Sequence, residues 1–173
     1  MNAITRFLMS GIISLSGCVL VGCGSARPDA MMPAAVTASH RSGKPIQAHV
    51  AGGAEYTAMG GPGITNEEFK QALESSLVKS GSFQSAGPGG YQLEAFIADI
   101  DQPVMGFSMR VNMDVSYTLR RGGSIIWRKS IRSTYVAATG EAFAGALRLR
   151  KATEGAAREN IVALIRALDG QRL

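Results

Sequence analysis

Few side chains in this 173-residue sequence have the chemistry to act as nucleophiles, general bases or metal ligands. Both cysteines, Cys18 and Cys23, fall near the start and none follows them. Disulfides, thiolate metal sites and cysteine nucleophiles are therefore excluded beyond residue 23. His40 lies in a stretch rich in Ser, Gly and Pro, and His49 in a short alternating one, so together they make no zinc-type ligand set. Asp99 and Asp101 flank Ile100. Such a pair can hold a cation or work as an acid/base couple, but solvated carboxylates at a strand end look the same. Ser75, Ser76 and Ser80 have no neighbouring histidine, and no Gly-x-Ser-x-Gly elbow occurs. The glycines between Gly52 and Gly63 precede a helix, where a phosphate cradle would sit. They form neither GxxxxGK[ST] nor GxGxxG, and no basic residue lies among them. No enzymatic activity and no cofactor is expected.

The formal net charge is +5, spread along the chain without a dense basic tract or an aromatic platform. Nucleic-acid binding is not expected. Aromatic residues are sparse and glycine is abundant, at 21 residues, so the core must be built from aliphatic side chains and Met.

The elements that position these residues follow from periodicity. From Phe107 to Arg120 apolar and polar residues alternate without a break, with Phe107, Met109, Val111, Met113, Val115, Tyr117 and Leu119 on one face. That is a strand with one buried and one wet side, and the domain is organised around it. Pro45 to Val50 predicts a short first strand. Tyr91 to Ile100 predicts another, with Tyr91, Leu93, Ala95 and Ile97 inward. Ser124 to Tyr135 predicts a third partner, with Ile125, Trp127, Ile131 and Tyr135 inward. Arg121-Gly122-Gly123 suits a tight hairpin, and the short link after Asp101 makes the preceding pair antiparallel too.

Thr65 and Glu68 form a capping box at the start of a helix running to Ser80. Its apolar stripe is Phe69, Leu73 and Leu77. A last helix is predicted from Thr139 or Glu141 to about Leu168. Ile161, Leu164, Ile165 and Leu168 make its strong stripe. Its first half is made of small residues, and Gly155 costs about 1 kcal/mol relative to Ala, so a break or kink is expected near Ala152 to Gly155. The order β-α-β-β-β-α predicts an α+β, two-layer fold: an antiparallel-rich sheet of about four strands with two helices on one face.

Arg110, Arg120, Arg128 and Arg132 fall on the polar phases of two adjacent strands, together with Asp114 and, from the strand before, Glu94. A plain solvated face has this composition. So does a surface that docks an anionic partner, because guanidinium groups grip carboxylates and phosphates bidentately. Arg110, Arg128 and Arg132 are the candidate partner-binding residues.

Met1 to Arg6 carries one positive charge, and Phe7 to Leu20 is mostly apolar but rich in Gly and Ser. This reads as an export signal rather than a spanning helix. The stretch Leu20-Val21-Gly22-Cys23 resembles the bacterial lipobox. That resemblance implies lipid attachment at Cys23, removal of residues 1–22 and anchoring through several acyl chains. Leu15-Ser16-Gly17-Cys18 also fits. Cys23 is preferred because it leaves a fuller apolar core and a polar start to the mature chain. Residues 23–44 are then expected as a lipidated flexible tether, and 45–173 as one domain. By resemblance to enterobacterial lipoprotein sorting, in which Asp after the anchor retains the protein in the inner membrane, Gly24 implies an outer-membrane location facing the periplasm.

The run ITNEEFKQALESSLVKSG, the QPVMGF turn with its alternating strand, and KATEGAARENIVALI together resemble a family of small uncharacterised bacterial lipoproteins. More distantly the chain is similar to lipoproteins serving envelope machines. These include the lipopolysaccharide-assembly lipoprotein, penicillin-binding-protein activators and the curli-secretion lipoprotein. The resemblance implies a non-catalytic accessory or adaptor that binds an envelope protein. A second reading is a lipid or glycolipid handler with a cleft between the sheet and the small-residue half of the last helix. A pore-forming oligomer is a third, but Arg110, Asp114 and Arg120 would sit awkwardly on a lipid face.

Overall fold

In the computed structural model, which describes residues 26–171, the chain runs α1 (Pro28–Met31), β1 (Ile46–Ala51), β2 (Ala54–Tyr56), β3 (Pro62–Ile64), α2 (Asn66–Lys79), β4 (Tyr91–Asp101), β5 (Met109–Arg121), β6 (Ser124–Ala137) and α3 (Gly145–Asp169). One sheet of four strands has the order β1-β4-β5-β6, and β2 with β3 forms a separate small hairpin. β4, β5 and β6 are antiparallel neighbours, while β1 is parallel to β4. A parallel neighbour cannot be reached by a tight turn, so the chain returns through α2. α2 packs beside β1, and α3 crosses β5 and β6. The fold is α+β, as expected, with a mixed sheet. The additions are α1 and the β2–β3 hairpin, whose three-residue strands are too short to show a period.

β5 is the middle of the core. Met109, Val111, Met113, Val115, Tyr117 and Leu119 are all buried against Leu93, Ile161 and Leu164. Each fully buried side chain of this size contributes about 1.5–3 kcal/mol. Phe107 does not join them. Pairing with β6 begins at Met109 opposite Ala137, so Phe107 stays in the connecting loop, fully exposed. α2 is capped as read: Thr65 Oγ1 accepts from Glu68 N at 3.3 Å, and Glu68 Oε2 accepts from Thr65 N at 2.9 Å. Glu74 on α2 accepts from Ala48 N at 2.7 Å, covering the outer edge of β1 with a side chain.

The β5–β6 hairpin turns on Gly122 and Gly123, both with positive φ, a two-residue turn that matches strand twist. Directly after it the register shifts: Leu119 opposes Trp127 but Arg120 opposes Ile125. Ile126 is the extra residue of a bulge. Ile125 is thereby turned to the outer face, correcting its expected core position, while Trp127, Ile131 and Tyr135 stay inward. Ser133 and Ala137 are also buried on the inner side.

α3 starts at Gly145 rather than at Thr139 or Glu141. Glu141 instead closes the preceding turn: its carboxylate accepts from Ala138 N at 3.0 Å and from Tyr135 Oη at 3.1 Å. The helix then runs unbroken through Ala152 to Gly155. The glycine is there for packing. A Cβ at Gly155 would fall 2.4 Å from the Tyr135 ring.

Residues 26–44, expected as a leash, lie on the domain. Ala26 and Met31 are buried, and α1 packs on both α2 and α3. Arg27 N donates to Glu154 Oε1 at 3.0 Å, Arg158 donates to Ala30 O at 3.0 Å, and His40 N donates to Asp169 Oδ1 at 2.7 Å. Pro28, Ser39 and Gly43 break periodicity without making the segment free: it is held by backbone hydrogen bonds and isolated methionines, which leave no repeating signal.

Candidate functional site: the open sheet face

Both main helices cover the same side of the sheet. Among the described residues no element covers its other side, and the polar residues of β5 fix what lies there. Arg120 Nε pairs with Glu94 Oε1 at 2.8 Å, and Arg132 Nη1 with Asp114 Oδ2 at 3.5 Å. Ser116 and Ser130 share a hydrogen bond of 2.9 Å. Asn112 donates to Asp101 at 3.0 Å and accepts from Thr134 at 2.8 Å, so one polar row crosses three strands. Exposed pairs of this kind contribute about 0–1 kcal/mol each. The apolar side holds the sheet together, and the outer rows are free to serve another purpose.

The candidate arginines all sit on this face. Arg128 lies opposite Thr118 and Arg110 opposite Val136. Neither makes an ion pair among the described residues, whereas Arg132 does. The face is not a basic patch, because Glu94, Asp99, Asp101 and Asp114 share it and the signs alternate. Asp99 and Asp101 arrive there through a second bulge. The β4–β5 register shifts between Ile97 and Asp99, which carries both carboxylates to the wet side and turns Ile100 inward. Strict alternation would have aimed them at the core. Phe96 and Ile125 interrupt the polar rows, about half exposed. Cys18 and Cys23 lie outside the described residues.

Other concave places are built differently. A recess of about 410 Å³ lies between the β2–β3 hairpin and the bulged end of β4, with Tyr56, Met59 and Asp101 in its lining. Beside it Gln102 is already satisfied. Its Nε2 donates to Pro62 O and Thr153 Oγ1, both at 2.8 Å, and its Oε1 accepts from Thr57 at 2.9 Å. The small-residue half of α3, where the alternative lipid-handling reading would put a cleft, is closed against the sheet: Ala152 and Ala156 are fully buried and Gly155 rests on Tyr135. Deeper still, Tyr117 Oη donates to Asn160 Oδ1 at 2.8 Å, and Asn160 Nδ2 donates to Ile131 O at 2.9 Å. Burial pushes the Tyr117 phenol well up, which keeps it a proton donor. Asn160 and Gln102 fasten elements together and escaped sequence reasoning, because a lone amide carries no periodic signal. Among the described residues no three His, Cys, Asp or Glu side chains converge as metal ligands. No described helix is long and apolar enough to cross a membrane.

The sequence matches no protein-family model and no curated protein. Solved structures share its fold. A Xanthomonas campestris protein of the DUF330 family superposes with a TM-score of 0.60 at 9% identity, over 86% of this chain and 96% of that one. A minor lipoprotein from Acinetobacter baumannii gives 0.53 at 11% identity, over 78% and 96%. A PelC dodecamer from Paraburkholderia phytofirmans gives 0.50 at 12% identity, over 80% and 95%. The architecture is thus one that bacterial lipoproteins use, in keeping with the resemblance read from the sequence. Likeness at such identity is a likeness of fold.

Proposed function

We propose that the protein is a bacterial envelope lipoprotein, anchored through Cys23 in the outer membrane, whose domain is a non-catalytic adaptor for an envelope protein. One observation carries the adaptor reading: among the described residues the outer face of the four-stranded sheet is uncovered and presents Arg110 and Arg128 without carboxylate partners, beside half-exposed Phe96 and Ile125. An apolar contact ringed by alternating charges suits a folded protein surface better than a lipid or a polyanion. The lipobox and the lipoproteins that share the fold support the envelope location.

Photo-crosslinking in living cells from a probe at Arg128 tests the reading. One dominant protein adduct, lost when Arg128→Glu and Arg132→Glu are introduced into a still-folded chain, is the expected result. Adducts only with lipid, or none at all, would overturn it. Loss of palmitate labelling in Cys23→Ala checks the anchor.

A further inference from the structure

We infer that the end of the domain carrying the β4–β5 and β6–α3 loops lies on the lipid bilayer, with Phe143 and Leu147 inserted at the headgroup boundary. This rests on the anchor at Cys23.

Among the described residues the most exposed large apolar side chains, Phe143, Phe107, Met105 and Val104, gather at one end of the domain. Val104, Met105 and Phe107 occupy the β4–β5 loop, and Phe143 and Leu147 the approach to α3 and its first turn. Both loops leave the same end of the sheet, where Met109 pairs with Ala137. Phe143 is 103% exposed and Met105 is 86% exposed, so neither packs on its own domain. Exposed large apolar side chains gathered in one place mark a contact surface.

The path of the chain says which surface meets them. Ala26 is buried, and Arg27 is clasped by Glu154, in the third turn of α3. Arg27 and Glu154 line one surface recess of about 480 Å³ together with Phe143, Leu147, Arg150 and Lys151. The chain therefore enters the domain beside the exposed loop. Cys23 lies three residues before Ala26, and three residues reach at most about 10 Å. Because residues 26–44 are packed down, no slack follows. Acyl chains on Cys23 hold the bilayer within that distance of Ala26, next to the recess that Arg27 and Phe143 both line. Arg27, Arg150 and Lys151 sit where phosphate headgroups would then lie. The opposite end, with the Gly122-Gly123 turn, faces away, and the open sheet face stands beside the membrane.

The test uses the full-length chain reconstituted into phosphatidylethanolamine–phosphatidylglycerol vesicles with brominated acyl chains. A Phe143→Trp variant places a reporter at an exposed site, and the natural Trp127, near the far hairpin, serves as reference. Bromine close to the headgroup boundary, about 5–10 Å deep, should remove about half of the emission from position 143 and leave Trp127 unchanged. A chain that carries its lipid by mass spectrometry and floats with the vesicles, yet shows no quenching at 143, would overturn the inference and leave the anchor standing. A chain with no lipid on Cys23 would overturn both.

Discussion

Gly155 and Tyr135 are fitted to one another: the bare helix backbone lies against the ring, with Arg158 5.3 Å from the ring centroid. Gly155→Ala would gain about 1 kcal/mol of helix propensity. It would also drive a methyl group into the ring, and overpacking of this kind costs about 1–3 kcal/mol. The variant should be destabilised, seen as a lower urea midpoint with an unchanged slope. A higher midpoint would refute the fit.

Tyr117 and Asn160 act as one unit between β5 and α3. Tyr117→Phe strands Asn160 Oδ1, and Asn160→Leu strands the phenol and Ile131 O. Each should cost about 1–3 kcal/mol. The double variant should cost less than the sum of the two, and strict additivity in denaturant melts would deny the coupling.

Glu154, buried at 3% exposure, accepts from Arg27 N and pairs with Arg27 and Arg150 at 3.6 and 3.9 Å. Glu154→Ala removes a charged hydrogen-bond partner worth about 1.5–3 kcal/mol. Amide exchange at Arg27 to Met32 should accelerate while the core of β5 stays protected. Uniform protection throughout would show that the clasp is not what holds the segment.

Backbone N–H groups of His40 and Ser39 hold the Asp169 carboxyl below its ordinary value of 3.8. A depressed folded value means the stabilisation is fully present above pH 3.8 and is lost as pH falls through the lower, folded-state value. The amide resonance of His40 should therefore titrate with a midpoint below 3.8, and Asp169→Asn should abolish that titration. A midpoint above 3.8 would contradict the contact.

Long alternating runs made β4 and β5 legible, and a capping box with an i, i+4 stripe made α2 legible. What misled were places where the period breaks. A single extra residue at Ile126 moved Ile125 outward, and bulges leave no mark in hydropathy; the second bulge, near Ala98, left Asp99 and Asp101 solvated as read. Gly155 read as weakness in a helix because the ring that needs it is twenty residues away in sequence. The open face was legible as a set of arginines. Its balance of charge was not, since that depends on strand register. The segment before β1 looked loose because its partners lie at the other end of the chain.

That last arrangement orders events in time. Arg27, Ala30 and His40 find their partners 127, 128 and 129 residues later, all on α3. The apolar side of β5 and β6 also waits for α3 as its lid. Contacts so distant form late. While α3 is still being synthesised, the first described residues of the domain have nowhere to settle and the sheet has no cover. The domain can close over its sheet only once its last helix is delivered. A truncation before Gly145 would leave a sticky, protease-sensitive polypeptide.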